Sequence, residues 1–238
     1  MHLLLTNDDG IEAEGLQSFA AFARAQPNVT RVSIVAPLDG RSSCSHTVNT
    51  YSPVRLQNVA PEEYAVDGWP ADCVRIALLN LGLKPDWVVS GVNHGGNLGV
   101  DVIMSGTCGA AREATWHGYP SIAVSQYRSP NVQVPWSVSA ARAWSVISQV
   151  IDSSAGKKAS PLKGFWNVNL PSIDASAGLP PPVYCQPDPS PHQFHWEETA
   201  EGLLYRSSYQ ARPRIPGHDI EWCFKGSPTV SYCGNTVT

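Results

Sequence analysis

The sequence predicts an α/β fold, a mostly parallel sheet covered by helices, with a β-hairpin arm towards the C-terminus. Three observations carry that prediction. Short apolar runs that stop at polar or glycine-rich loops recur around residues 1–6, 31–36, 85–91, 119–125 and 165–171, as buried strands do. Stretches of helical periodicity separate them, which makes each strand–helix–strand unit a right-handed parallel crossover. Beyond residue 178 the composition shifts to closely spaced prolines, which exclude regular helix.

Taken in order, Met1 to Thr6 is a strand that ends at Asn7-Asp8-Asp9-Gly10. Leu16, Phe19, Ala20 and Ala23 form one helical face, closed by Pro27-Asn28. Arg31 to Ala36 is the second strand, stopped by Pro37 and followed by the polar loop Asp39-Gly40-Arg41-Ser42-Ser43-Cys44-Ser45-His46. Residues 47–66 alternate and predict a small antiparallel excursion. Asp67-Gly68-Trp69-Pro70 starts a helix with proline near its first position, whose apolar face is Val74, Ala77, Leu78 and Leu81 before Gly82. Pro85 to Gly91 is a strand, Ser105 to Ala114 a helix start led by Ser, Gly and Thr, and Tyr119 to Ser125 another strand. Trp144, Ile147 and Ile151 mark a helix over 137–151, and Phe165 to Pro171 is a strand whose alternating asparagines suit hydrogen bonds to a neighbouring loop. The core is expected to span 1–178. Residues 179–238 are read as an arm and closing strand, with hairpin strands at His195 to Glu198 and Gly202 to Ser207 and a last strand at Ser227 to Tyr232.

With 238 residues the chain can bury a substantial core. A net charge of -4 without a basic cluster gives no footprint for a nucleic acid polymer or an anionic membrane. No apolar run approaches the roughly 18 to 20 residues that span a bilayer, and the first residues lack a basic leader, so a cytoplasmic protein is expected. The six cysteines form no Cys-x-x-Cys pair, which argues against zinc fingers and redox motifs. Whether Cys223 and Cys233 face each other is left open.

Ligands of open α/β sheets sit outside the carboxyl ends of the strands. Adjacent carboxylates at such an end repel unless a cation or proton lies between them, so Asp8 and Asp9 suggest a divalent metal; the alternative is a helix cap beside a solvated acid. The loop Ser90-Gly91-Val92-Asn93-His94-Gly95-Gly96-Asn97-Leu98-Gly99 lets the backbone approach a ligand closely. At Ser105-Gly106-Thr107 a helix N-terminus offers free N–H groups and a positive dipole end to a phosphate, although the Gly-Lys-Ser/Thr element of a P-loop is missing. Hard oxygen ligands suit Mg²⁺ or Mn²⁺, with Ca²⁺ as a third candidate, rather than zinc. A hard cation beside a phosphate cradle points to phosphoryl chemistry. His46, His94 and His117 are read as hydrogen-bonding or packing residues ahead of acid/base groups.

These segments resemble the SurE family of survival proteins. The resemblance rests on Leu4-Leu5-Thr6-Asn7-Asp8-Asp9-Gly10-Ile11, on Val35-Ala36-Pro37 with Arg41-Ser42 and Ser45-His46, and on Asp67-Gly68-Trp69-Pro70-Ala71-Asp72-Cys73-Val74. It rests also on the Gly/Asn loop above and on Ser105-Gly106-Thr107-Cys108-Gly109-Ala110-Ala111-Arg112-Glu113. It implies a Rossmann-like three-layer sandwich and a divalent-metal-dependent 5′/3′-nucleotidase that hydrolyses nucleoside monophosphates. It further implies one Mg²⁺ or Mn²⁺ per subunit held by Asp8, Asp9, Ser42 and Asn93, with Asp8 and Asp9 catalytic. Asn97, Ser105, Gly106 and Thr107 would bind phosphate, and the C-terminal hairpin would pair subunits into a homodimer or homotetramer. The family usually carries a small residue where Trp69 stands, a charged run at Leu38-Asp39-Gly40 and a proline at Gly96, which leaves base and sugar preference open. Other readings of the residues are a non-catalytic nucleotide or metabolite sensor, a phosphatase for a non-nucleotide phosphomonoester, and a receiver-type signalling domain; the Gly/Asn loop and the extra length argue against the last.

Overall fold

The computed structural model describes residues 1–153, 163–206 and 208–234. Ser207, the expected end of the second hairpin strand, lies outside the described residues. The strands are β1 (His2–Thr6), β2 (Arg31–Pro37), β3 (Leu56–Ala60), β4 (Glu63–Val66), β5 (Trp87–His94), β6 (Ser121–Gln126), β7 (Gly164–Leu170), β8 (Val183–Tyr184), β9 (His195–Thr199), β10 (Gly202–Arg206) and β11 (Thr229–Gly234). The helices are α1 (Glu14–Arg24), α2 (Pro70–Arg75, running on into a π-helical turn over Ile76–Asn80), α3 (Asp101–Met104), α4 (Gly106–Trp116), α5 (Trp136–Ser153) and α6 (Asp219–Phe224).

The main sheet runs β3-β4-β2-β1-β5-β6-β7-β11-β8. From β4 through β7 the neighbours are parallel. The excursion expected over 47–66 narrows to the antiparallel pair β3 and β4, and β11 closes the other side antiparallel to β7. Alternation along β1 assigns its side chains to two layers. Leu3 and Leu5 pack with Leu16, Phe19, Ala20 and Ala23 of α1 and with Ala143, Val146 and Ile147 of α5. Leu4 packs with Cys73, Val74, Ala77 and Leu78 of the α2 segment and with Ala110 and Ala114 of α4. The result is the expected three-layer sandwich, and each apolar helical face read from spacing lies in it.

The chain leaves β1 towards β2 and β4, then returns across the sheet to β5 on the other side of β1. That reversal between β1 and β5 is where open α/β sheets form their ligand crevice. Past residue 178, among the described residues, only β9 and β10 pair apart from the main sheet; β8 and β11 belong to it, and α6 packs Ile220 and Cys223 against Leu98 and Tyr127. All six cysteines are free thiols, Cys223 and Cys233 included. Among the described residues no helix is long and apolar enough to cross a membrane.

Candidate active site

Asp8 and Asp9 follow β1 at the reversal point. Asp8 is buried, and its Oδ1 accepts a 2.6 Å hydrogen bond from the Thr107 hydroxyl in the first turn of α4. That approach is close enough to require glycine beside it: a Cβ on Gly106 would stand 2.5 Å from Cys44 Sγ and 2.9 Å from Asp8 Cβ. Asp9 Oδ2 accepts from the His94 backbone N–H at 2.9 Å, which ties it to the end of β5. The Arg41 N–H donates to the Asp8 carbonyl at 2.7 Å, so the loop after β2 is hung on the same residue. Asp8, Asp9, Thr107 and the immediate neighbours of Ser42 and Asn93 are thus joined by direct bonds. Ser42 itself is exposed, and the Asn93 amide donates to the Gly95 carbonyl at 2.9 Å.

Burial pushes the Asp8 carboxyl up to about 6; the Thr107 hydrogen bond opposes this and the Asp9 charge adds to it. Burial also raises Asp9, against the His94 N–H. Among the described residues neither carboxylate forms an ion pair. Two desolvated, adjacent carboxylates without a basic partner fit a cation. Among the described residues no group of three or more His, Cys, Asp and Glu is arranged to hold a metal ion, so such a cation would be completed by neutral oxygens, the chemistry that Ser42 and Asn93 offer.

Ser105 serves as the N-cap of α4, accepting from the Cys108 N–H at 3.0 Å, a use that leaves its O–H free to donate. Asn97, expected to bind phosphate, is engaged within the protein. Its amide donates to Ser125 Oγ at 2.8 Å and to Thr107 Oγ1 at 3.4 Å, while its backbone N–H and C=O are taken by Asn169 and Asn167 of β7. Asn97 therefore sits one bond behind Thr107, because the alternating asparagines of β7 draw the whole peptide into a buried polar network.

Further residues hold these loops. Glu113 on α4 is buried and takes His46 Nε2 at 2.6 Å, Arg75 Nε at 2.6 Å and His117 Nε2 at 2.9 Å, while His46 stacks on Trp116. His46 and His117 thus both hydrogen-bond to Glu113. Burial pushes Glu113 up, but the hydrogen bonds from His46, Arg75 and His117 outweigh it and hold the carboxyl down at about 2. Buried Asp72 accepts from the N–H groups of Asn49 and Trp69. Behind the Gly/Asn loop, Asp219 accepts from the Gly99, Asp188 and Ile220 N–H groups. Arg212 and Tyr209 reach Asp101 at 2.6 and 2.9 Å, and the Tyr209 hydroxyl also donates to the Gly96 carbonyl. A cavity of about 550 Å³ lies beside the hairpin, lined by Phe194, Arg206 and Arg212 among others.

Comparison with known proteins places the chain in a family. The family model described as survival protein SurE matches residues 3–180. A protein of Nostoc sp. is 36% identical over 233 residues, covering 97% of this chain and 98% of its own length. The 5′-nucleotidase SurE of Pelobacter propionicus is 38% identical over 217 residues, 84% of this chain and 83% of that protein. The crystal structure of the SurE protein from Aquifex aeolicus superposes with a TM-score of 0.82 at 26% identity, covering 100% of this chain and 95% of that one.

Proposed function

We propose that this chain, which belongs to the survival protein SurE family, is a divalent-metal-dependent nucleotidase that releases inorganic phosphate from nucleoside monophosphates. Relatives named 5′-nucleotidase along most of the chain support the nucleotidase activity. The observation that carries the reading is the Thr107–Asp8 hydrogen bond, since it joins a buried carboxylate to the N-terminus of α4. Asp8, Asp9, Ser42 and Asn93 would hold one Mg²⁺ or Mn²⁺. Bound there, the ion would neutralise charge on the phosphoryl group and lower the pKa of water.

The chain's own groups do the rest. Thr107 fixes the Asp8 carboxylate and the His94 N–H fixes that of Asp9, so both enter the reaction preorganised. Asp9 is half-buried rather than enclosed, which suits it to accept a proton from the attacking water. The first N–H groups of α4, with the Ser105 hydroxyl, present donors to the phosphate oxygens. Asn97 contributes by orienting Thr107. The hairpin β9–β10 exposes Phe194, Trp196, Leu203, Leu204 and Tyr205 and is the surface on which a homodimer or homotetramer would form.

The test is phosphate release from 5′- and 3′-nucleoside monophosphates and from a base-free phosphomonoester, with Mn²⁺, Mg²⁺ or chelator present. Release from nucleotides that stops with chelator is expected. Nucleotide binding without release under any metal would replace the enzyme by a sensor.

A further inference from the structure

Asp67, Gly68 and Trp69 follow β4, which runs parallel to β2 with Pro37 opposite Val66. The Trp69 loop therefore opens on the same edge of the sheet as Asp8 and Asp9, separated from β1 only by β2. Arg41 spans that gap. Its backbone N–H is bonded to the Asp8 carbonyl, its guanidinium lies 5.2 Å from the Trp69 ring centroid, and its Nη2 donates to Asp67 Oδ1 at 3.2 Å. Its Nε is buried and has no partner among the described residues. The half-buried Trp69 donates no side-chain hydrogen bond among the described residues either.

The wall is held in place before any ligand arrives. Asp72 binds the Trp69 N–H and, on its other side, the Asn49 N–H of the loop that carries Arg41. That loop is further fixed by His46 on Glu113 and by Ser45, which bonds the Met104 and Ile103 carbonyls. An aromatic ring held beside a phosphoryl site, with a guanidinium against it and an indole N–H unspent, matches a planar heteroaromatic group rich in acceptors.

We infer that Arg41 and Trp69 form the base subsite, Trp69 stacking on the nucleobase of a nucleoside monophosphate whose phosphate sits at Asp8 and α4, and that the subsite favours purines for their larger face. This deepens the nucleotidase reading and rests on it. The test compares wild type, Trp69→Ala and Trp69→Phe on AMP, CMP and ribose 5-phosphate. Trp69→Ala should raise KM for AMP on the order of tenfold, raise that for CMP less, and leave the loss confined to substrates that carry a base. Trp69→Phe, which keeps a stacking face, should retain most of the AMP preference. An unchanged KM for AMP in Trp69→Ala, or an equal loss on ribose 5-phosphate, would overturn the subsite. If wild type turns over no phosphomonoester, the nucleotidase reading fails by itself. Calorimetric titration of AMP into wild type and Trp69→Ala then decides the subsite alone: weaker binding by the variant supports it and equal binding refutes it.

Discussion

Replacing Glu113 by Gln tests how the site loops are held together. In the structure one buried carboxylate joins the loop after β2, through His46, to α2, through Arg75, and to the end of α4, through His117. Its carboxyl is held at about 2 against an ordinary 4.5; at ~1.4 kcal/mol per pH unit that is worth about 3 kcal/mol. The folded value lies below the unfolded one, so this stabilisation is complete above about pH 5 and is lost as pH falls towards 2. Glu113→Gln removes the charge but keeps the shape. Urea denaturation should show the variant about 3 kcal/mol less stable at pH 7, with the gap closing between pH 5 and pH 2. Equal stability at pH 7, or a gap that stays constant down to pH 2, would refute the claim that Glu113 is a charged hub.

Gly106→Ala places a methyl group against Cys44 and Asp8. Activity should fall on the order of a hundredfold, as for a misplacement of about 1 Å at a reacting centre, with stability down by about 1–3 kcal/mol; steady-state kinetics and chemical denaturation read the two separately. Asp219→Ala strips the acceptor from three buried N–H groups, one of them at Gly99 in the Gly/Asn loop. At least ~2 kcal/mol of stability should go with it, measured by denaturation, and KM should rise as the loop relaxes. Charging the exposed hairpin by Leu204→Glu should lower the mass found by light scattering while the far-ultraviolet circular dichroism stays the same.

What the sequence made legible is what local pattern encodes. The core strands announce themselves because each is an apolar run with a polar stop, and α1 because Leu16, Phe19, Ala20 and Ala23 share one face. The Asp pair was legible because two acids end an apolar strand. Glu113 was not: on a helix a lone Glu reads as solvent-facing, and only partners at positions 46 and 75 reveal it as buried. The alternating asparagines of β7 announced bonds to a neighbouring loop, but that Asn97 receives them, and that Ser125 takes its amide, depends on residues far apart in the chain. Short α6 and the two-residue β8 fall below any period, and buried Asp188 and Asp219 are satisfied by backbone N–H groups, which leave no trace in composition.

The most direct test of the catalytic assignment is AMP hydrolysis by Asp8→Asn, assayed with Mn²⁺ beside its melting temperature in chelator. Because burial disfavours the Asp8 charge, the neutral amide should leave the metal-free protein at least as stable as wild type while phosphate release disappears. An Asp8→Asn protein that hydrolyses AMP at the wild-type rate would contradict the account at its centre.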